Sequence, residues 1–305
     1  MDLDDLRCFD AAARLLRFRA AARAVALTPA ALGQRIKSLE EELGVRLFER
    51  TTRHVALTEA GHRAHSHARA CLAAAADTAR AAQGELGPPE IELVVGTRHE
   101  LGITWLTPAL PALRVSHPAW TLHLYFGSGP DLLVRVRTLE IDCAVTSSRL
   151  TDPSLDAVPL LAEAYVFVAA PKLLEQRPLR RPADAEHHVL IDAAPELPLF
   201  GYLRDAGGGA EDMRFQRVLR IGTIEAIRQL VLAGEGVAVL PAYLVGEDLR
   251  AGTLKRVLPK LEPLPDQFRL VFRRKDPRRP VFEAVAAALR QRPLPGGPAR
   301  AIGRR

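Results

Sequence analysis

The stretch Gly84–Pro89, written GELGPP, divides the chain into two parts with different patterns of apolar residues. Before it, apolar side chains recur at steps of three and four, which predicts helices. After it, short apolar and β-branched runs alternate with helical segments, which predicts an α/β architecture with largely parallel sheets. Glycine and proline interrupt both kinds of element, so this stretch is predicted to link two domains. A chain of 305 residues is also too long for one compact core.

The composition is that of a globular protein, with 48% hydrophobic and 26% charged residues. No apolar run reaches the ~20 residues that a membrane-spanning helix needs. The acidic start MDLDDLRC lacks the pattern of a secretion signal, so we expect a cytoplasmic protein without membrane contact. The net charge of +6 says little about nucleic acid, because eleven basic and two acidic residues lie within 269–305 and the rest of the chain is net acidic.

The cysteines and histidines predict no metal or redox chemistry. Cys8, Cys71 and Cys143 are far apart in the sequence and lack CxxC spacing, so we expect buried structural thiols rather than a disulfide, a zinc site or a redox switch. His187 and His188 are expected on the surface. The motifs of hydrolases, nucleotide-binding enzymes and zinc proteases are missing from the sequence, so we expect no catalysis, no cofactor and no metal.

Residues 1–44 predict three short helices. The third lies in LTPAALGQRIKSLE, with Thr28 as its N-cap, Pro29 in its first turn and Gly44 after its last turn. It follows the second helix after a turn of a few residues around Ala26–Leu27. Two short helices joined so tightly are typical of a helix-turn-helix motif.

The third helix has an outward face that suits DNA. When its apolar residues point to the core, Ala30, Gln34 and Lys37 point outward and Arg35 flanks them. Small residues near the N-terminus let a helix enter a major groove of ~12 Å width, where glutamine can bond adenine and lysine can reach guanine or phosphate. Thr28 and the helix N-terminus suit a phosphate oxygen. The alternative is a solvated face, but six basic and no acidic residues between Arg14 and Lys37 favour DNA.

Two further elements follow this motif. Val45–Thr58 contains two alternating apolar pairs and predicts a small hairpin, a wing, with Arg50 and Arg53 near its tip. An alanine-rich helix then runs from Thr58 to about Gly84. Small residues recur along it at steps of four and three, which lets two helices approach closely, as in a dimer stalk. A lone helix on its own domain is the alternative, but the opposite face is too polar for a core helix. The seam consists of Ala64, Ala68, Cys71, Ala75, Thr78 and Ala82.

The run from Ala20 to Gly61, which contains SLEEELGVRLFERT and LTEAG, resembles the winged helix-turn-helix of the LysR-type transcriptional regulators. LEIDCAV at 139–145 and the segment Thr223–Val245 resemble the two subdomains of that family's effector domain. The resemblance covers about residues 1–292. It implies a multidomain α+β fold: a winged helix-turn-helix at 1–58, a linker helix and hinge at 59–88, and two α/β lobes similar to periplasmic binding proteins at 89–292. Residues 293–305 are predicted to be a disordered tail.

The resemblance implies a sequence-specific regulator of promoters without catalytic activity. It also implies a small-molecule effector between the lobes, a dimer through the linker helix that often forms a tetramer, and RNA polymerase as a possible partner. Two positions depart from the family, which often has a polar residue in place of Pro29 and a hydroxyl in place of Gly33. Carried over by position, the residues along DNA are Thr28, Pro29, Ala30, Gln34 and Lys37, with Arg50, Thr51 and Arg53 in the wing.

The effector is expected where strands end and helices begin, since ligands of α/β sheets bind there. The charges of Arg98, His99 and Glu100 are unusual for the family at such positions; they could recognise a polar or zwitterionic effector, or simply lie on the surface. A solute-binding protein for transport would fit residues 90–292, but the N-terminal 60 residues argue against it, and a non-specific nucleoid protein needs no ligand cleft. The predicted effector contacts are Thr97, Arg98, His99, Glu100, Ser128, Thr146, Ser147, Asp192 and Thr223.

Overall fold

The computed structural model describes residues 1–50, 55–83 and 90–294. The predicted wing residues Thr51 and Arg53, the linker stretch at 84–89 and the tail from 295 lie outside the described residues, as does the side chain of Arg50. The N-terminal elements are α1 (Leu3–Leu15), α2 (Phe18–Ala24), α3 (Pro29–Leu43), β1 (Phe48–Arg50), β2 (Val55–Leu57) and α4 (Glu59–Ala82).

Helices α1 to α3 pack around one small core. Phe9, Leu32, Ile36 and Leu39 are almost completely buried there, which accounts for the spacing of three and four residues between apolar positions. The predicted turn between α2 and α3 is confirmed. Ala26 adopts a left-handed conformation with φ of 54°, and the chain reverses direction within four residues.

The ends of α3 and the start of α4 follow from local chemistry. The Thr28 hydroxyl oxygen accepts a hydrogen bond from the Ala31 N–H at 3.1 Å, and Gly44 ends α3 with φ of 69°, a conformation that glycine adopts without strain. The Thr58 hydroxyl oxygen accepts from the Gly61 N–H at 2.9 Å at the start of α4. A side chain at Gly61 would lie 2.1 Å from the Leu47 carbonyl oxygen, so only glycine lets α4 approach the wing this closely.

Helix α4 belongs to the N-terminal core only along its first half. Ala68 is buried in that core, and Leu72 packs partly against it. From Ala73 onward most of the described side chains are exposed or half-buried. The expectation that Cys71 is buried is wrong, because the thiol is exposed where the helix leaves its own domain.

Two further sheets follow, each covered by helices. Their elements are β3 (Ile91–Thr97), α5 (His99–Leu101), a π-helical turn (Gly102–Leu106), α6 (Thr107–Ser116), β4 (Trp120–Phe126), α7 (Gly129–Thr138), β5 (Cys143–Thr146), β6 (Leu155–Glu163), β7 (Tyr165–Ala169), α8 (Pro171–Gln176), a 3-10 turn (Pro182–His187), β8 (Val189–Asp192), α9 (Pro198–Arg204), β9 (Arg217–Arg220), α10 (Ile224–Leu232), β10 (Val237–Pro241), α11 (Ala242–Ala251), β11 (Lys255–Arg256), β12 (Asp266–Arg273) and α12 (Arg279–Arg290).

The two sheets form two lobes. The first has the strand order β4-β3-β5-β12-β6 and the second β11-β7-β10-β8-β9. The expectation of largely parallel sheets is only half right, because β12 runs antiparallel to β5 and β6, and β7 runs antiparallel to β10 and β11. These antiparallel pairs arise where the chain leaves the first lobe through β6 and returns to it through β12.

Three expectations about single residues meet different outcomes. Cys8 and Cys143 are buried as predicted, and burial raises the pKa of both thiols. The surface position predicted for His188 is wrong, since it is 1% exposed and burial lowers its pKa. In residues 1–50, 55–83 and 90–294, no helix is long and apolar enough to cross a membrane, and no cluster of metal-binding side chains occurs.

Candidate DNA-binding face and effector cleft

The outward face of α3 is exposed and mostly unpaired. Pro29, Ala30, Gln34 and Lys37 are all exposed. The Lys37 Nζ lies 3.5 Å from a Glu41 carboxylate oxygen, but both side chains are more than 60% exposed, so this pair holds the ammonium group only weakly. The amide group of Gln34 can therefore turn toward a partner without breaking a buried bond.

Thr28 and Arg35, by contrast, already form polar contacts within the chain. The Thr28 oxygen caps α3 through the Ala31 N–H, which leaves its hydroxyl proton to donate. The Arg35 guanidinium lies 2.9 Å from Asp5 and 3.6 Å from Asp2, and the hydrogen bond that it donates to Asp5 raises the pKa of Arg35. Arg35 thus fastens α3 to α1 in the absence of DNA, and its predicted contact with DNA requires these ion pairs to open.

Three basic side chains are exposed on α2 and directly before it. Arg17, Arg19 and Arg23 are exposed, and within the part of the chain that the structure describes they form no ion pair. Unpaired guanidinium groups beside an exposed helix are suited to phosphate oxygens.

A glutamate that sequence reasoning missed fixes the wing against α3. One carboxylate oxygen of Glu40 accepts the Leu47 N–H at 2.7 Å and the Phe48 N–H at 3.0 Å. In the sequence, Glu40 is the first of three consecutive glutamates, so nothing there distinguishes it from its neighbours. This contact sets the angle between α3 and the wing.

Asp10 and His65 join α1 to α4. The His65 Nε2 lies 2.8 Å from an Asp10 carboxylate oxygen, and His65 is 7% exposed. Burial alone would raise the pKa of Asp10, but its hydrogen bond with His65 lowers it below the ordinary value. The start of the linker helix is therefore held firmly on the DNA-binding domain.

Asp142 connects the linker helix to the first lobe. One of its oxygens accepts from Arg69 at 2.9 Å and from Arg278 at 2.6 Å, and the other accepts the Val94 N–H at 2.7 Å. Asp142 directly precedes β5, and Thr146 ends this strand. A single short strand thus runs from the linker contact to the edge of the cleft.

The cleft between the lobes has a volume of about 700 Å³, which is in the range of small-molecule sites. Six of the nine predicted effector contacts line it: Arg98, His99, Glu100, Ser128, Ser147 and Thr223.

The other three predicted contacts lie behind the lining. Thr97, Thr146 and Asp192 are completely buried, because the last residues of their strands still point into the cores. The Asp192 carboxylate accepts the Leu199 N–H at 3.2 Å and the Phe200 N–H at 2.7 Å, so it supports the start of α9. Burial still raises its pKa above the ordinary value.

Arg98 is held by a buried carboxylate. Its guanidinium donates to Glu163 at 2.7 Å, and the Glu163 side chain is 0% exposed. Burial alone would lower the pKa of Arg98, but the charge of Glu163 raises it. The guanidinium also lies 5.7 Å from the centre of the Phe268 ring. This ion pair neutralises the positive charge of Arg98 within the structure itself.

Among the lining residues that sequence reasoning missed are Tyr165, Tyr202 and Asp266. The two tyrosine rings stack with their centres 4.0 Å apart. The Tyr202 hydroxyl donates to Asp266 at 2.7 Å, and burial raises the Tyr202 pKa to about 12. These residues meet because the crossovers between the lobes bring together segments about 60 residues apart.

Besides the Tyr202–Asp266 pair, a backbone N–H also bonds across the cleft. A carboxylate oxygen of Glu100, on α5 of the first lobe, accepts the Glu225 N–H in the first turn of α10 at 3.1 Å. Glu100 is 8% exposed. No second hydrogen bond to its carboxylate occurs in the described parts of the chain, so its other oxygen is unpartnered.

Comparison with known proteins identifies the family of both domains. Residues 3–62 match the family described as "Bacterial regulatory helix-turn-helix protein, lysR family", and residues 87–293 match the family described as "LysR substrate binding domain". The chain is 31% identical over 309 residues to the DNA-binding transcriptional dual regulator OxyR of Escherichia coli, covering 96% of both chains.

Solved structures show the same fold. The ArgP structure from Mycobacterium tuberculosis has a TM-score of 0.73 and 21% identity, covering 95% of this chain and 97% of its own. The full-length LysG structure from Corynebacterium glutamicum, with bound effector Arg, has a TM-score of 0.68 and 23% identity, covering 97% of this chain and 100% of its own.

Proposed function

Since this chain belongs to the LysR family of bacterial transcriptional regulators, we propose that the exposed face of α3 reads its promoter sequence. The chain is a DNA-binding, oligomer-forming regulator with an effector-binding domain, and it is not an enzyme. The observation that supports the proposal is that Gln34 and Lys37 are exposed while Leu32, Ile36 and Leu39 are buried on the opposite side of the same helix.

Each residue of this face has a proposed role. Gln34 bonds the edge of a base, and Lys37 bonds a guanine or a phosphate. Pro29 and Ala30 give the helix a small leading end that fits the groove. Thr28 donates its hydroxyl proton to a phosphate oxygen, and Arg35 joins it once its pair with Asp5 opens. In the wing, Arg50, Thr51 and Arg53 contact the backbone beside the groove.

The DNA proposal is tested with a fragment recovered by genome-wide mapping of the bound sites. The double variant Gln34→Ala, Lys37→Ala should bind this fragment at least about tenfold more weakly, because base contacts are each worth about 1–3 kcal/mol. Lys172→Ala removes an exposed lysine of the effector domain and should bind like the unchanged protein. Normal binding by the double variant would exclude α3 as the reading helix.

We also propose that a small-molecule effector binds in the cleft and changes promoter activity. The proposal is supported by the size of the cleft and by the residues of both lobes that line it. A ligand that contacts both lobes can change their relative orientation. Under this proposal, the six predicted residues that line the cleft touch the effector, while Thr97, Thr146 and Asp192 support the lining from behind. The bound arginine of the LysG structure is a precedent for such a ligand in this fold.

The effector proposal is tested by filling the cleft. Ala194 lies on the lining, so Ala194→Trp should abolish the response of a reporter driven by the mapped promoter across growth conditions. Ala183→Trp places the same side chain on an exposed turn outside the cleft and should respond normally. A full response from Ala194→Trp would mean that the effector binds elsewhere.

The assembly is proposed to be a dimer through α4 that pairs into a tetramer. Support comes from the exposed second half of α4, where Thr78 and Ala82 offer a seam of small side chains. Sedimentation of the full-length protein should give the tetramer, and a monomer at micromolar concentration would contradict the proposal. As a promoter regulator, the protein is proposed to act in the cytoplasm and to contact RNA polymerase when bound upstream of a gene.

A further inference from the structure

The charge that the cleft offers to a ligand depends on Glu100. This carboxylate lines the cleft, is 8% exposed, and uses one oxygen to bond the Glu225 N–H across the lobes. The hydrogen bond satisfies one amide, and the helix end contributes at most about half a positive charge. Glu100 therefore keeps negative charge and one unpartnered oxygen at a nearly buried position.

At three helix starts around the cleft, backbone N–H groups already donate hydrogen bonds to side-chain oxygens of the chain. Glu100 takes an N–H of α10, Asp192 takes two N–H groups of α9, and the Ser128 hydroxyl oxygen takes the Asp131 N–H of α7 at 3.4 Å. The carboxylates of Glu100 and Asp192 already lie at two of these helix starts, so an anionic ligand there would meet a like charge. These helix starts therefore favour an anion less than starts without a carboxylate would.

The other charged side chains of the cleft have charges of opposite sign to balance them. Arg98 is neutralised by Glu163 at 2.7 Å, and Asp266 faces Arg269 at 3.4 Å. Glu196 and Arg149 line the cleft, are exposed, and form no ion pair within 1–50, 55–83 and 90–294. These two rim charges balance each other, which leaves Glu100 as the charge without an opposite.

The aromatic surface next to these charges also favours a cation. Tyr165 and Tyr202 both line the cleft, their rings are stacked on each other, and the Tyr202 hydroxyl bonds Asp266. Cations are attracted to the face of an aromatic ring within about 6 Å. A positively charged group would thus find a carboxylate oxygen and an aromatic surface in the same cavity.

We propose, resting on the effector cleft proposed above, that the effector is a small organic cation whose protonated amine or guanidinium group bonds Glu100 between the lobes. The cation takes the unpartnered oxygen of Glu100 while the other oxygen stays on α10. The ligand thus bonds a carboxylate that already links α5 to α10 across the lobes. Arg149 at the rim can accommodate a carboxylate if the cation is an amino acid.

Titration calorimetry of the full-length protein tests this assignment with L-arginine, L-lysine and agmatine as cationic probes, and with succinate as an anionic probe. At least one cationic probe should bind, and succinate should not. Glu100→Gln keeps an oxygen for the Glu225 N–H and removes the charge, so it should weaken binding of that probe about tenfold or more. Glu247→Gln, on an exposed part of α11, should bind as the unchanged protein does.

A second variant provides a test that does not depend on the folding of Glu100→Gln. Glu196→Gln changes an exposed rim residue, so it cannot disturb the packing, and it should weaken binding about twofold to fivefold. Failure of all three cationic probes, or binding that neither glutamine variant weakens, would overturn the cation assignment.

The same titrations separate this inference from the proposed effector site. If succinate binds and Ala194→Trp abolishes its binding, the cleft is the effector site but the cation assignment is wrong. If a cationic probe binds equally well to Ala194→Trp and to Glu100→Gln, then both the cation assignment and the cleft are wrong.

Discussion

The DNA-binding face and the effector cleft hold their polar side chains in different ways. On α3, Gln34 makes no buried bond and Lys37 has only an exposed partner. In the cleft, by contrast, Arg98 is tied to a buried carboxylate and Glu100 is bonded to the opposite lobe. The side chains of α3 are supported by a core beneath them, whereas those of the cleft are supported by each other.

This difference matches two kinds of task. A surface that reads DNA needs a rigid helix with free polar groups, because the groove offers the partners. A site that responds to a ligand needs contacts between movable bodies that the ligand can strengthen or replace. The two regions meet at Asp142, where the linker helix touches the lobe through Arg69.

The largest expected effect comes from Asp276, which shares its partner Arg278 with Asp142. Its side chain is completely buried and bonds Arg278 at 2.9 Å and Arg273 at 3.4 Å. Asp276→Asn should lower the free energy of unfolding of the effector domain at pH 7 by about 3 kcal/mol, because it removes a buried carboxylate from Arg273 and leaves Arg278 with Asp142 alone. Both tryptophans, Trp105 and Trp120, lie in the first lobe, so their fluorescence during urea unfolding reports on this domain.

The same variant should change the response to acid. Burial alone would raise the pKa of Asp276, but Arg278 lowers it below 3.8. The ionised group therefore stabilises the fold fully above pH 3.8, and this contribution is lost as the pH falls through the lower pKa of the folded state. The difference between Asp276→Asn and the unchanged protein should shrink below pH 3.8. Asp205→Asn, an exposed control, should change stability by less than about 0.5 kcal/mol at any pH.

On α3, substitution of Gly33 is expected to stabilise the protein, in contrast to Asp276→Asn. A methyl group at this position would contact nothing within 4 Å, and alanine is favoured over glycine inside a helix by about 1 kcal/mol. Gly33→Ala should therefore slow hydrogen exchange of the α3 amides about fivefold, measured by mass spectrometry on the full-length protein. Faster exchange would show that the backbone at this position requires glycine.

The smallest effect is expected at the contact that joins the two regions. Arg69→Gln removes one donor from Asp142, which keeps Arg278 and the Val94 N–H. The effector domain should lose less than about 1 kcal/mol of stability, while exchange of α4 amides near residue 69 should accelerate. A loss as large as that of Asp276→Asn would mean that the linker contact, and not Arg278, supports the lobe.

The sequence predicts best where the determinants are local. Thr28, Pro29 and Gly44 mark the ends of α3 because capping depends on residues within one turn, and the structure has the helix between them. Strands β6 and β9 are harder to recognise, because Pro159 interrupts the apolar pattern of β6 and all four residues of β9 are exposed.

The site is harder to predict where partners are distant in the sequence. Arg35 lies on the flank of α3 as expected, but its pairing with Asp5 depends on how α1 packs. Tyr165, Tyr202 and Asp266 come together only through the crossovers between the lobes. Likewise, no local signal separates the buried His188 from the exposed His187 beside it.

The claim that α3 reads bases is tested most directly by selecting preferred sequences from a random DNA pool with the full-length protein and with Gln34→Ala. The unchanged protein should select a site with two related half-sites. Gln34→Ala should lose the preference at one or two base pairs of each half-site and keep the rest. Identical base preferences for the two proteins would contradict the assignment of Gln34 as a base-reading residue.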